Sequence, residues 1–428
     1  MLSNHPLRVA LADELHTRPF PKIMAPTSAA YLAITSMGSV AKDLAVLVKL
    51  LEAIGQSEQK PKGSHYFGDF GDFKLKWERH TEFVTYTLFV EREDGTEMFV
   101  DNPHELFPEA WLQKTTSKIL TSCILEVIGP FTLKDTEKFV TNEFFKHFKG
   151  ESLAVNYVLG KEAVIASDFT IDTDGHIKLA ILAIGQVGEN RLGRIVQRLL
   201  EIETYKSLAM LTLPVARDIF AQVGHLNNDL TDAVHAIAEG EGTTQERLDA
   251  LLSVSAKIEY LQSQSAYRFG GAEAYDAILS QRIEVLREER LQGRQTFSEF
   301  MMRRFDPAMR TCVSAQKRLR DISARAARAT DLLATRVTVR TNEQNRAVLH
   351  QMDKRAQLQM RLQETVEGLS VVAITYYAVN LATYLLVPLT KKLGFEKYQL
   401  SAALILPMIL LVWLMIRQIK RRASKDTL

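Results

Sequence analysis

The chain has 428 residues, of which 46% are hydrophobic, and its 53 basic and 51 acidic residues leave a net charge of +2. That near-neutrality hides an asymmetry: residues 1–293 hold 30 basic against 41 acidic residues, and the remainder holds 23 against 10. The basic part lacks an aromatic-lined platform, which argues against a nucleic-acid partner, and the isolated Cys123 and Cys312 suggest no disulfide framework or zinc site.

The N-terminus shows no basic region followed by an apolar run, so no signal peptide is expected. His5–His16 suits a short helix ended by Arg18-Pro19-Phe20-Pro21. A helix over Ala41–Ile54 follows, then a polar loop. Phe73, Leu75 and Trp77 alternate along a strand, and Phe83–Val90 is rich in β-branched and aromatic residues. The turn between these strands falls in Glu78–Glu82, and Asp94-Gly95 turns the chain again. Helices are expected at Pro108–Leu120 and Leu133–Phe148. Strands are expected at Ser122–Ile128, Ala154–Leu159, Ala163–Ile171 and His176–Ala183. This mixture defines an α/β domain over residues 1–188, large enough to bury a full core.

After Glu189 the strand signal stops, and residues 189–367 read as a helical, coiled-coil-like stalk. Arg191–Met210 is an apolar-rich helix, and Pro214 starts or kinks the next. Ile219, Val223, Leu226, Leu230, Ala233 and Ile237 step at coiled-coil spacing. Gly240–Thr244 breaks the pattern, with Thr243 or Thr244 as cap for a helix to about Tyr267. Gly270-Gly271 predicts another break and Ala272–Phe305 a further helix. Asp306-Pro307 then opens the last and longest one. Such a helix needs neighbours to bury its apolar stripe, so a homo-oligomer or a hairpin-packed stalk is expected.

Gly368–Leu389 and Tyr398–Ile416 contain no Asp, Glu, Lys or Arg. At helical rise they would span about 33 Å and about 28 Å, close to the thickness of a bilayer's hydrocarbon core. They predict a transmembrane hairpin over residues 368–416, followed by a basic tail over 417–428. Lys354, Arg355 and Arg361 before the first span, and Arg417, Lys420, Arg421, Arg422 and Lys425 after the second, place both termini in the cytoplasm. The loop lysines Lys391, Lys392 and Lys397 weaken this contrast without reversing it. The expected address is an inner (plasma) membrane, with the bilayer as one partner.

Few residues suggest chemistry. Asp172-Thr173-Asp174-Gly175 resembles the start of a calcium loop, but the later acidic ligand is missing and a hairpin turn fits better. Glu14, His16 and Arg18 gather at a helix end, either as a plain surface terminus or as a ligand or interface group. Glu78, Arg79 and His80 follow the core-type Trp77, and His80 with Glu82 could bind a metal, although an exposed turn accounts for them. No phosphate-cradling glycine loop, nucleophile elbow or paired metal motif is present, so neither an enzyme nor a cofactor is expected. Within the first span, Ser370, Tyr377 and Tyr384 recur every seven residues, with Asn380 and Thr383 on nearby faces. This stripe could join helices or line a pore; helix contact is favoured.

Several stretches carry a family resemblance: Glu14-Leu15-His16-Thr17-Arg18-Pro19, Trp77-Glu78-Arg79-His80-Thr81-Glu82-Phe83, Gly193–Tyr205, Glu343-Gln344-Asn345-Arg346 and Leu362–Tyr377. Together they resemble the bacterial family of unknown function numbered 3422, whose members are uncharacterised membrane-anchored proteins. The resemblance covers nearly the whole chain and implies no activity. A more distant likeness is architectural. A cytoplasmic α/β domain, a long stalk helix, two C-terminal spans and a basic tail make up the plan of CorA-type magnesium channels, and this likeness implies a pentamer. Leu369–Thr375 also resembles the opening of their pore helix. Their Gly-Met-Asn signature would fall near Val387-Pro388-Leu389 and is absent, and Asn380 lies about two turns too early to replace it.

Two functions are therefore expected to compete. One is a membrane-anchored, homo-oligomeric scaffold or sensor whose cytoplasmic domain binds a partner. The other is a CorA-like channel or transporter with the first span lining the path. The lysine-rich outer loop favours the anchor, or an anion path.

Overall fold

Strands buried on both faces dominate the first part of the chain. A computed structural model describes residues 4–14, 20–390 and 397–423. It divides into two compact units, Met1–Thr330 and Asp331–Leu428, so a mixed α/β part is followed by a long helical part.

The first unit is built on a nine-stranded sheet. Its strands are β1 (Thr27–Thr35), β2 (His65–Asp69), β3 (Lys74–Arg79), β4 (Phe83–Glu91), β5 (Ile119–Phe131), β6 (Ala154–Val158), β7 (Ala163–Ser167), β8 (Ile177–Ile184) and β9 (Glu289–Arg290). Their spatial order is β2-β3-β4-β1-β5-β8-β7-β6-β9. β5 and β8 run parallel and the other neighbours antiparallel.

One sheet face carries two apolar clusters. Ala30, Leu32, Leu75, Trp77, Val84 and Tyr86 pack with α2 (Val40–Ala53) and with Trp111 of α3 (Glu109–Lys114). Val155, Val164, Ala180 and Leu182 pack with Val140 of α4 (Leu133–Asn142) and Phe144 of α5 (Phe144–His147). The opposite face is covered by α6 (Glu189–Met210), which buries Leu192, Ile195, Val196, Leu199 and Ile202. A sheet sandwiched this way leaves few of its inner residues wet.

The central strand β1 is absent from the strands expected above. Its sequence, Thr-Ser-Ala-Ala-Tyr-Leu-Ala-Ile-Thr, is rich in alanine, which has little strand preference of its own. Ladders to β4 on one side and β5 on the other decide the matter. The same competition shortens the helix expected at Pro108–Leu120 to Glu109–Lys114, because Ile119 and Thr121 pair with β1. The helix expected at Leu133–Phe148 is interrupted at Glu143, yet Val140, Phe144 and Phe148 still reach one core at four-residue spacing. The first helix, α1, is confined to Arg8–Glu14 among the described residues.

Helices α7 (Thr212–Glu239) and α8 (Thr244–Leu286) follow α6. All six residues at the regular spacing in α7 are buried. Gly240 ends α7 in the left-handed conformation, at φ 77°, and Thr243 with Glu246 forms a capping box that starts α8. The break expected at Gly270-Gly271 does not occur. Two glycines weaken a helix by about 1 kcal/mol each, but contacts on either side hold this one: Arg268 pairs with Glu82 at 3.0 Å, and the Tyr275 hydroxyl donates to Glu82 at 2.7 Å. The helix expected over Ala272–Phe305 ends instead at Leu286, where Arg287 turns left-handed. The chain then adds β9 to β6 before α9 (Phe297–Arg304), whose first amides donate to the Glu288 carboxylate at 3.1 and 3.0 Å.

α10 (Asp306–Thr390) is 85 residues long. Within the first unit its start packs beside α7 and α8 through Cys312, Ala315, Leu319, Ile322 and Ala326, with Ser323 donating to Gln262 at 3.5 Å. In the second unit, residues 334–366 are exposed throughout. Among the described residues, the end of α10 and α11 (Lys397–Ala423) are the two helices long and apolar enough to cross a membrane. The expected loop residues Lys391, Lys392 and Glu396, and the tail residue Lys425, lie outside the described residues.

Gly193 tests how α6 is seated. A Cβ at this position would collide with the carbonyl oxygen of Pro21, whose segment also bonds back to α6 through Ile23 N and Glu189 O at 3.3 Å. Gly193→Ala is expected to lower stability by about 1–3 kcal/mol in chemical denaturation of the full chain. An unchanged midpoint would mean that the backbone approach is not needed.

Candidate functional site

Strand alternation sends Leu75 and Trp77 to the apolar face, so Lys76 and Glu78 must face the other way. On an open sheet they would meet water. Here α6 and α8 cover them, leaving Lys76 at 7% and Glu78 at 9% of full exposure. Between helices and sheet lies a cavity of about 230 Å³. Its floor is Tyr31, Lys76, Glu78, Thr85, Thr87 and Phe89. The α6 wall brings Val196, Gln197, Leu200, Glu201, Thr204 and Tyr205, which share one helical face. Arg282 of α8 enters from the side, and His80 and Phe83 close one end.

The charges form an alternating chain. Lys76 Nζ pairs with Glu78 Oε2 at 3.1 Å and donates to Gln197 Oε1 at 2.9 Å. Gln197 Nε2 donates to Glu201 Oε1 at 2.9 Å, and Glu201 Oε2 accepts from Arg282 Nε. Beside it, Thr204 donates to the Leu200 carbonyl at 2.8 Å, so the 2.6 Å contact with Tyr31 is a bond donated by the tyrosine hydroxyl. Burial pushes that phenol well above its ordinary range, which keeps it a donor. One atom is left out: Glu78 Oε1 is buried without a hydrogen-bond partner among the described residues.

The sequence candidates separate here. Glu78 and His80 both line the cavity, and the His80 ring stacks on Phe83 at 4.2 Å. Glu78 is no exposed turn residue: it ends up inside, because β3 runs through Arg79. Arg79 points to the opposite face, where its Nε donates at 2.7 Å to Asp43, itself held by Ser36 and the Met37 amide. Glu14 ends α1, while His16 and Arg18 lie outside the described residues. In the second unit Thr383 is buried, bonding the Val379 carbonyl at 2.7 Å and lying 3.3 Å from Ser401 of α11. Tyr377, Asn380 and Tyr384 are exposed, and Ser370 donates to the Val366 carbonyl at 2.8 Å. Lys76, Gln197, Glu201 and Arg282 escaped the sequence reading. Only weak signals pointed to three of them: Lys76 shares a strand face with Glu78, and Gln197 and Glu201 stand one helical turn apart; Arg282 carried none. Among the described residues no cluster of three or more His, Cys, Asp or Glu could hold a metal ion.

A second polar cluster sits at the sheet's centre. His104 and His176 stack at 3.9 Å, and the Ser122 hydroxyl lies 2.8 Å from His176 and 3.4 Å from His104. Asp172 shapes the turn before β8 by accepting from the amides of Asp174 and His176, the hairpin turn expected from Asp172–Gly175. Burial and the neighbouring His176 hold His104 down at about 4, and burial also lowers His176 against the opposing pull of Asp172 and Asp174.

Two measurements follow from these clusters. Removing one partner of a buried ion pair strands the other charge, at about 3–5 kcal/mol. Lys76→Met is therefore expected to destabilise by that order in urea titration, and Lys76→Met with Glu78→Met by clearly less; equal losses would deny the pairing. For both histidines the folded state prefers the neutral ring, so their contribution is complete above pH 6.5 and declines as pH falls, for His104 towards about 4. Its slope is at most about 1.4 kcal/mol per pH unit for each ring. The double variant His104→Gln/His176→Gln should flatten stability over that window, and an unflattened profile would assign the acid sensitivity elsewhere.

A family model described as "Protein of unknown function (DUF3422)" matches residues 3–423. No curated protein matches. Of the stretches that suggested this family, Trp77–Phe83 and Gly193–Tyr205 supply two facing walls of the cavity. The match spans nearly the whole chain, which therefore belongs to this family of unknown function.

Proposed function

We propose that this protein is a membrane-anchored sensor whose α/β domain binds a small polar molecule in the cavity beneath α6. The observation that carries this reading is the lining of the cavity, where Lys76, Glu78, Gln197, Glu201 and Arg282 converge beside Phe83, Phe89 and Leu200. A concave lining with a few convergent polar groups among apolar ones is the usual form of a small-molecule site. The end of α10 and α11 supply the anchor, inserted as a hairpin with both termini on the cytoplasmic side. This reading asks for no catalysis.

The exposed stretch of α10 supports a homo-oligomer. Between residues 334 and 366 it presents Val337, Val339, Val348, Leu349, Met352, Leu358, Met360, Leu362 and Val366 to solvent. A lone helix with that surface gains little from staying solitary, and copies anchored in one bilayer meet in parallel. Tyr377, Asn380 and Tyr384 extend the same contact into the membrane, where an amide and hydroxyls seek partners on a neighbouring helix.

Native mass spectrometry of the detergent-solubilised full chain is expected to show more than one copy and a retained small molecule. Val196→Phe, which narrows the cavity, should lower that retention. A monomer would remove the oligomer, and an empty wild-type protein that no small molecule stabilises would remove the sensor. Liposomes containing the protein should conduct no ions; a steady flux would favour the channel instead.

A further inference from the structure

The exposed part of α10 differs from one side to the other. Counted in sevens and lettered a to g from Thr335, residues 335–384 hold ten charged residues, nine of them on columns b, e and f and the tenth, Arg355, on g. From residue 345 column d reads Asn345, Met352, Gln359, Val366, Ala373 and Asn380, without a charge from the exposed stretch into the apolar end of the helix. Column f, nearly opposite, carries Arg340, Lys354 and Arg361. Burial in the apolar end divides the helix along the same line. Thr375 and Thr383 are buried and Ala378, Val379 and Ala382 half-buried, whereas Ala373, Tyr377 and Asn380 are exposed. The covered residues mark the side that α11 occupies, since Thr383 Oγ1 lies 3.3 Å from Ser401 of α11. Ala378 and Ala382 each stand two residues from Asn380, about 160° round the helix. α11 therefore leaves column d open.

We infer that α10 packs against α10 of further copies of this chain, parallel and in register, through column d, with α11 held to the outside. This rests on the homo-oligomer reading above and gives it a contact face and an alignment. Asn345, Gln359 and Asn380 supply the reason for a like partner. A carboxamide both donates and accepts, so an identical group opposite satisfies it. In hydrocarbon the amide of Asn380 finds such a group only on a neighbouring helix. Insertion through the same hairpin makes the copies parallel. Matched amides then disfavour a shifted register, as a polar residue does inside a coiled coil, while Met352 and Val366 between them add apolar contact. Charge agrees with this alignment. In a parallel pair each g residue faces the next e residue of its neighbour, so Arg355 meets Met360 of a second copy and no like charges meet across the contact. Columns repeating every seven residues stay in contact by winding left-handed.

The test is oxidative cross-linking of the full chain in lipid vesicles. The native Cys123 and Cys312 are both buried, so the wild type supplies the baseline. Single cysteines are placed on column d (Asn345→Cys, Gln359→Cys, Ala373→Cys) and on column f (Arg340→Cys, Lys354→Cys), all at exposed positions that leave the fold undisturbed. A disulfide needs Cα atoms within about 7 Å, so the d variants are expected to form covalent dimers roughly tenfold faster than the f variants. When Asn345→Cys and Gln359→Cys chains carrying different tags are mixed in one vesicle, disulfides should join like variants and not unlike ones. Equal rates on d and f would overturn the contact face, and mixed disulfides as abundant as matched ones would overturn the register. If native mass spectrometry shows several copies while the d variants stay at the wild-type baseline, this face is wrong and the homo-oligomer stands. A monomer in both measurements ends both readings.

Discussion

A helix laid over ionisable strand residues is the constraint on which this structure turns. Lys76 and Glu78 occupy the face of β3 that α6 covers, and charges taken out of water must be paired or neutralised. Gln197 and Glu201 on α6, and Arg282 on α8, supply that pairing. The position of α6 is thereby set by polar register as well as by its apolar side. Gly193 is part of the same solution, since only a residue without a side chain lets α6 run against the Pro21 carbonyl. Once Glu201 is held, α8 is fixed along its length, and Glu82 clamps it again at Arg268 and Tyr275.

This arrangement joins parts of the chain that lie far apart. β9, from beyond α8, completes the sheet edge at β6, so the helices after residue 188 are built into the α/β unit. The helix that carries Arg282 into the cavity also meets α10 through Gln262 and Ser323. The lining of the cavity and the packing at the start of the long helix thus share one helix, α8.

Legibility in the sequence followed local pattern strength. The α7 core positions, the Thr243 cap, the turn at Asp172–Gly175 and the two apolar C-terminal helices all carry signals within a few residues, and each has its structural counterpart. β1 carries none, because its alanines owe their place to two neighbouring ladders. The glycines at 270 and 271 send a local signal that tertiary contacts overrule. At the candidate site, Glu78 and His80 stood out by residue type. Their partners did not: Lys76, Gln197, Glu201 and Arg282 are ordinary surface residues in any window of sequence.

The sequence by itself determined the order of parts, an α/β region followed by long helices and two segments apolar enough for a bilayer, because composition and periodicity are local and survive without neighbours. It also determined the family, through motifs long enough to be specific. Only the tertiary structure decided that the charged side of β3 is an interior. Burial is a relation between elements, here strands near residue 77 and helices near residues 200 and 282. No window of sequence contains all three. The unpaired oxygen of Glu78 exists only as a consequence of that meeting.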